Sequence, residues 1–449
     1  MKSEVGSRKS EVGRLLLLIA CGLRRAACGI YSSDKLQNSN ITGHLSLLYN
    51  IFATKPAEMV RTGLEIITEK LPLQLKGKRI GVVCHASSIT RDFRHITEIL
   101  FKRNDCRLSA IFGPQHGIFG QTQDNMIEWR SQQHPVYKVP LYSLYGETRK
   151  PTREMLLDID ILLIDLQDIG ARLYTYIWTV KLCMEACAEA GIPVWVLDRP
   201  NPIGVLPCDG PVLKEEYFTF VGGASIPLCH RMTIGEMTLW IKEKHIQKCD
   251  LNIVWMEGWK RNSFFDETGI PWILPSPNIP TLNSAIVYPG TVLIEALNLS
   301  EGRGTTIPFE LFGAPFIDPY KLKINIDARM IPGCAFRVHG FIPTFNKYSG
   351  CYCNGLQIHV TKPRDYYPVY TALEILDAVI ETTPADSLMF NPPPYEYEYT
   401  HMPFDILSGD PVMRTSLINR IPVKNERERW KHEIEVFLEE FGQLAVYPE

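Results

Sequence analysis

Hydrophobic positions recur along this chain in two rhythms. Short apolar runs at Arg79 to Cys84, Leu108 to Phe112, Ile159 to Leu166, Val194 to Leu197 and Leu251 to Trp255 have the length of buried strands and end in Gly, Asp, Pro or polar residues. Between them lie stretches with apolar residues at helical spacing. Met59 to Leu64 opens the first, Thr90 to Lys102 is the second, Trp178 to Ala190 is closed by Gly191 and Pro193, and Thr233 to Lys244 starts with Thr233 and Glu236 as a capping box. Strands alternating with helices predict a parallel sheet. The rhythm changes near Trp272, where Pro271, Pro275, Pro277 and Pro280 fall within ten residues and forbid a regular helix or central strand. Beyond that point strands are expected at Ala285 to Tyr288, Cys334 to His339 and Gly355 to Thr361, and helices at Tyr370 to Thr382 and Arg427 to Phe441. The run Pro392-Pro393-Pro394-Tyr395-Glu396-Tyr397-Glu398-Tyr399 reads as a surface loop. The expectation is an α/β domain over residues 59–272 followed by a smaller α+β domain over 273–449.

Composition changes this picture little. With 449 residues, 45% hydrophobic and 22% charged, the chain is an ordinary globular one of about two domains. Its 47 basic and 50 acidic side chains leave a net charge of -3, which gives no electrostatic footprint for nucleic acid. The 12 cysteines make no C-x-x-C pair, and Cys183 with Cys187, one helical turn apart, reads as core packing. Residues 1–58 differ in character. Lys2, Arg8, Lys9 and Arg14 precede the apolar stretch Leu15 to Leu23, which resembles a short signal peptide, and Leu18-Ile19-Ala20-Cys21 has the form of a lipoprotein cleavage box. A cytoplasmic chain with an N-terminal extension is the expectation, export or lipid anchoring the alternative. No run approaches the length of a membrane span.

The chemistry gathers where the strands end. Cys84 leads to His85-Ala86-Ser87-Ser88, Phe112 to Gly113-Pro114-Gln115-His116-Gly117, Leu166 to Gln167-Asp168, and Leu197 to Asp198-Arg199-Pro200-Asn201-Pro202. Any one of these is readily a cap, a turn or a local ion pair. Four in succession, at the ends where open α/β sheets bind ligands, point to a site. No G-x-G-x-x-G follows the first strand, and neither G-x-x-x-x-G-K-[ST] nor G-x-S-x-G is present, so no nucleotide cofactor is expected. His85, His116 and His230 stand singly, so no metal is expected either. What remains is acid-base work by carboxyl groups, with arginine and tyrosine as binders, which suits a sugar acid. The carboxyl candidates are Asp168, Glu295 and Glu301, with His116 as a further acid-base group. In Asn298 to Thr306, Gly302 and Gly304 flank Arg303 and let backbone approach a ligand, a plain Glu301 to Arg303 ion pair being the alternative.

Several words in order carry a resemblance. Phe112 to Gly117, Leu141-Tyr142-Ser143-Leu144-Tyr145-Gly146, Asp165 to Arg172, Asp198 to Pro202, Pro275-Ser276-Pro277-Asn278, Tyr288-Pro289-Gly290, Ser300 to Thr305 and Gly313-Ala314-Pro315 are similar to the exo-β-N-acetylmuramidases of the NamZ type, from about Met59 to the C-terminus. The resemblance implies a Rossmann-like N-terminal domain and a smaller C-terminal domain forming a cleft. It also implies a glycoside hydrolase that removes N-acetylmuramic acid from the non-reducing end of peptidoglycan-derived disaccharides or muropeptides. Arg172, Arg199 or Arg303 would then pair with the lactyl carboxylate, and Tyr174, Asp198, Asn201 and Asn278 complete the expected binding set. One departure matters. Many members carry Pro-Glu-His-Gly where this chain has Pro114-Gln115-His116-Gly117, and Gln115 cannot exchange a proton. Asp168 and Glu301 are therefore the favoured catalytic pair, unless the substrate's own 2-acetamido group is the nucleophile and Gln115 holds it. A protein that binds muramyl sugars without cleaving them is the second reading.

Overall fold

The computed structural model describes residues 59–449 except Asn125, and the segment with the lipoprotein-like box lies outside the described residues. Six parallel strands make most of a seven-stranded sheet: β1 (Arg79–Cys84), β2 (Arg107–Gly113), β4 (Pro140–Ser143), β5 (Ile161–Asp165), β6 (Val194–Leu197) and β7 (Leu251–Val254), with the two-residue β3 (Gln132–Gln133) antiparallel to β4. Their order is β3-β4-β2-β1-β5-β6-β7. The chain leaves β1 on one side for β2 and returns on its other side as β5. That reversal opens a crevice beyond the carboxyl ends of β1 and β5, where Cys84 stands opposite Asp165. Alternation along β5 serves both faces, since Leu162 and Ile164 join one apolar cluster while Ile161 and Leu163 join the other. Burial on both sides explains why these strands read as unbroken apolar runs.

Local signals set the helices. The Thr233 to Glu236 capping box is present at the start of Ile234–His245, and Gly191 closes Tyr176–Ala190 with a φ of 68°. The helix expected from Thr90 begins only at Ile96. Thr90 N–H donates to the Arg94 carbonyl at 3.0 Å and so folds the intervening residues into a turn, and the His95 ring accepts the Thr97 N–H.

In the C-terminal region an antiparallel sheet runs β8-β10-β9, from β8 (Leu311–Ala314), β9 (Cys334–Phe341) and β10 (Cys353–Val360). The strand expected at Ala285 to Tyr288 is instead part of the helix Leu282–Thr291. Thr281 Oγ accepts the Ser284 N–H at 3.0 Å and nucleates that helix. Gly290 lets it lie against Pro368–Thr382, since a Cβ there would come within 1.9 Å of the Pro368 carbonyl oxygen. An apolar run buried on all sides carries no period, so its residue types favoured a strand while its cap made a helix. One apolar cluster spans both regions, from Phe112 and Leu162 through Trp178 to Leu373 and Trp430.

Candidate active site

His85 follows β1 and fixes the floor of the crevice. Its Nδ1 bonds the Pro275 carbonyl at 3.0 Å, and its Nε2 accepts the Gln167 N–H at 2.9 Å, which makes the ring neutral and staples the ends of β1 and β5 to the proline-rich segment. Burial lowers its pKa to about 3, so it stays neutral at any physiological pH. Beyond β2, Pro114 to Gly117 turns sharply, with Gly117 N–H on the Pro114 carbonyl and His116 at a φ of 69°. Gln115 lines the cavity. Its Oε1 accepts the Thr175 hydroxyl at 2.8 Å, and among the described residues no acceptor takes its Nε2 protons. His116 bonds the Thr122 carbonyl through Nδ1 at 2.6 Å, and burial lowers its pKa to about 4. It is therefore neutral near pH 7, which suits it to accept a proton rather than to donate one.

Asp168 follows β5 and is 4% exposed. Its Oδ2 accepts the Gly170 N–H at 2.7 Å while its Oδ1 has no hydrogen-bond partner among the described residues. Burial outweighs the backbone N–H groups of Gly170 and Ile169 and raises its pKa to about 7. Gly170 must be glycine, because φ is 79° and a Cβ would stand 2.3 Å from Asn201 Oδ1. Tyr174, Tyr176, Tyr288 and Phe309 then continue the wall edge to face, with ring centroids 4.8 Å apart for Tyr174 and Tyr176, 5.9 Å for Tyr174 and Tyr288, and 4.8 Å for Tyr288 and Phe309.

The charged part of the wall also comes from the C-terminal region. Gly302 and Gly304, at φ 78° and 80°, set Arg303 on the cavity and over the Phe309 ring. Its guanidinium pairs with Glu295 at 2.6 Å and lies 3.4 Å from Glu301. Burial lowers the arginine's pKa, but these two carboxylates outweigh it and hold the group above its ordinary value. Glu301 stands behind Arg303, 1% exposed, and also receives Lys347 at 3.0 Å. Asn278 lines the cavity with its Nδ2 on the Gln123 carbonyl at 2.6 Å. The cavity is narrow, with a volume of about 30 Å³.

Four expected binding residues are elsewhere. Arg172 is 0% exposed and donates to the carbonyls of Pro211, Ile226, Leu407 and Ser408 at 2.8 to 3.0 Å, so it ties the two regions together and has no reach to a ligand. Asp198 accepts Gly235 N–H at 2.8 Å and the hydroxyls of Thr233 and Tyr447, at the start of the helix Ile234–His245. Arg199 is held bidentate by Asp165 at 2.6 and 2.8 Å, beneath the crevice. Asn201 bonds the Met232 carbonyl and the Ile203 N–H. Each satisfies buried backbone or a buried charge, which uses the same residue types as a ligand site.

Sequence reasoning missed Thr175, Tyr176, Ser276, Tyr288 and Phe309 on the wall, although Tyr288 and Ser276 sit inside words that carried the resemblance. Pro392 to Tyr399 is the expected surface loop, with Pro392, Pro394, Tyr397 and Tyr399 exposed, but two of its residues turn inward. Tyr395 donates to Glu295 Oε2 at 2.8 Å, and Glu396 turns inward to receive the Tyr145 hydroxyl at 3.1 Å. Among the described residues no group of three or more His, Cys, Asp or Glu is placed to hold a metal ion, and no helix is long and apolar enough to cross a membrane.

The chain matches two family descriptions, "Exo-beta-N-acetylmuramidase NamZ, N-terminal" over residues 80–283 and "Exo-beta-N-acetylmuramidase NamZ, C-terminal" over residues 286–447. It is 42% identical over 398 residues, 89% of this chain and 93% of the relative, to the peptidoglycan beta-N-acetylmuramidase NamZ of Bacillus subtilis (strain 168). Two crystal structures of DUF1343 family proteins from Bacteroides fragilis NCTC 9343 are similar. One has a TM-score of 0.77 at 33% identity and the other 0.67 at 26%, each alignment covering 87% of this chain and 99% of that one.

Proposed function

Because the chain belongs to the NamZ family of exo-β-N-acetylmuramidases, we propose that it is a peptidoglycan glycosidase that releases N-acetylmuramic acid from the non-reducing end of cell-wall fragments. The observation that carries this reading for the site itself is Asp168, a buried carboxyl group with one oxygen unpartnered among the described residues, near enough to the cavity-lining Tyr174, Tyr176 and Tyr288 for its charge to act on them.

These residues suit hydrolysis assisted by the substrate's 2-acetamido group. The acetamido oxygen attacks C1 as the glycosidic bond breaks, and its N–H gains positive character. Asp168 Oδ1 accepts that N–H. The bond strengthens as charge develops, so it favours the transition state over the ground state. Gln115, oriented by Thr175, directs its free NH₂ donors to the acetamido oxygen. Arg303 offers the cavity a positive charge suited to the lactyl carboxylate, and Glu301 and Glu295 position it.

Two disaccharides test the reading. The full chain is expected to release N-acetylmuramic acid from one with muramic acid at the non-reducing end, and nothing from one with the two sugars reversed. Cleavage of both, or only of the second, would contradict exo-muramidase action. Saturable binding with no cleavage of either would support the sugar-binding reading that Gln115 raises.

A further inference from the structure

The reading above lacks a proton donor for the leaving oxygen, and Gln115 cannot supply one. The segment Pro392 to Tyr399 holds a buried glutamate, Glu396, that the site described above does not use. Tyr395 and Glu398 exchange both backbone hydrogen bonds at 2.9 Å, making a two-residue hairpin whose central residues, Glu396 and Tyr397, have φ of 45° and 68°. Such a turn normally takes Asn-Gly, because both centres lie in the left-handed region. Glu and Tyr are strained there, and strain of this kind persists only where surrounding contacts over-determine it. Those contacts are Tyr395 on Glu295 at 2.8 Å, Tyr145 on Glu396 at 3.1 Å, Tyr397 on Glu128 at 3.0 Å, and the Arg149 guanidinium 4.2 Å above the Tyr397 ring. The turn presents a glutamate that is 6% exposed, with one hydrogen bond among the described residues.

We propose that Glu396 is the catalytic acid, giving its carboxyl proton to the glycosidic oxygen; this rests on the muramidase reading above. Glu396 follows Tyr395, which is bonded to Glu295, which is paired with Arg303 on the cavity wall. The charges of both Asp168 and Glu396 act on cavity-lining Tyr288. The groups facing Glu396 are Tyr145, Arg149, Glu295, Arg303, Tyr288 and Tyr395. Burial is the largest influence on it. Burial and the Glu295 charge raise its pKa to about 7 against the lowering by Tyr145, Arg149 and Arg303, which keeps a proton available near neutrality.

The step balances. The C1–O bond breaks with its electron pair going to the leaving oxygen, which takes the proton from Glu396, while the acetamido oxygen bonds to C1. Water then attacks C1, the acetamido oxygen leaves it, and the water's proton returns to the Glu396 carboxylate.

The test is Glu396→Gln assayed on a muramyl disaccharide and on a dinitrophenyl muramide, whose leaving group needs no protonation. A lost acid should lower kcat on the disaccharide by at least about a hundredfold and on the aryl glycoside by less than about tenfold. An equal fall on both, or no fall on the disaccharide, would overturn the proposal. Wild-type protein inactive on both would instead refute the muramidase reading. Tyr145→Phe gives a second test that removes one hydroxyl only. The loss of a donor to the carboxylate should raise the Glu396 pKa, so the alkaline limb of kcat/KM should move to higher pH. An unmoved limb would count against Glu396 whether or not Glu396→Gln folds.

Discussion

Replacing Asp168 by asparagine should make the protein more stable at alkaline pH while removing its activity. Burial raises the Asp168 pKa from 3.8 in the unfolded chain to about 7 in the fold. Folding therefore binds a proton between those two pKa values. The native state loses stability as pH rises from 3.8 toward 7, and the full cost is present above that window. At 1.36 kcal/mol per pH unit, the charge costs about 4 kcal/mol at pH 8 and about 2 kcal/mol at pH 5. The asparagine is isosteric and neutral, and its oxygen can keep the Gly170 N–H bond. Equilibrium urea unfolding of wild type and Asp168→Asn at the two pH values isolates the effect, because every other titrating group is common to both. The variant should gain about 2 to 3 kcal/mol relative to wild type between pH 5 and pH 8. Its turnover should fall at least about a hundredfold. A stability difference that does not change with pH would mean that the carboxyl is as easily ionised in the fold as in water, and the argument for a desolvated catalytic carboxyl group at Asp168 would collapse.

The other predictions separate structural from chemical residues. Arg172→Met leaves four buried carbonyls without a donor and should lower unfolding free energy by about 3 to 5 kcal/mol; an increase in KM without lost stability would return Arg172 to the ligand site. Glu301→Gln weakens one of the two carboxylate contacts of Arg303 and should raise KM for muramyl substrates by about tenfold with a smaller change in kcat, and a loss of kcat alone would make it catalytic in its own right. Gln115→Glu restores the residue that many relatives carry. Combined with Glu396→Gln, it should recover at least about tenfold of the lost disaccharide turnover, and no recovery would show that position 115 cannot reach the leaving oxygen.

The parallel sheet was legible because strands buried on both faces leave unbroken apolar runs between turn residues, as in Ile161–Asp165. Caps were legible too, since Thr233 and Glu236 meet within one helical turn. Ala285 to Tyr288 was not, because burial on every side erases the period that separates helix from strand. Among the site residues, Gln115, His116, Tyr174, Asn278 and Arg303 line one cavity, with Asp168 acting on its tyrosines, whereas Arg172, Asp198, Arg199 and Asn201 have the same chemistry but satisfy buried backbone or a buried charge. Nothing local distinguishes those two uses. Glu396 escaped notice because its partner Tyr145 lies 251 residues away, and an alternation of acids and tyrosines after three prolines looks solvated until the fold brings Glu295 beside it.

The central claim is that the cavity at the ends of β1, β2 and β5 hydrolyses muramyl glycosides through Asp168. The most direct test is aglycone release from a chromogenic N-acetylmuramic acid β-glycoside by the wild-type protein and by Asp168→Asn at equal folded concentration. Release by the wild type and at least about a hundredfold less by the variant is the predicted result. Equal release by both would contradict the claim for Asp168, and no release by a wild type that binds N-acetylmuramic acid saturably would make the chain a sugar-binding member of the family.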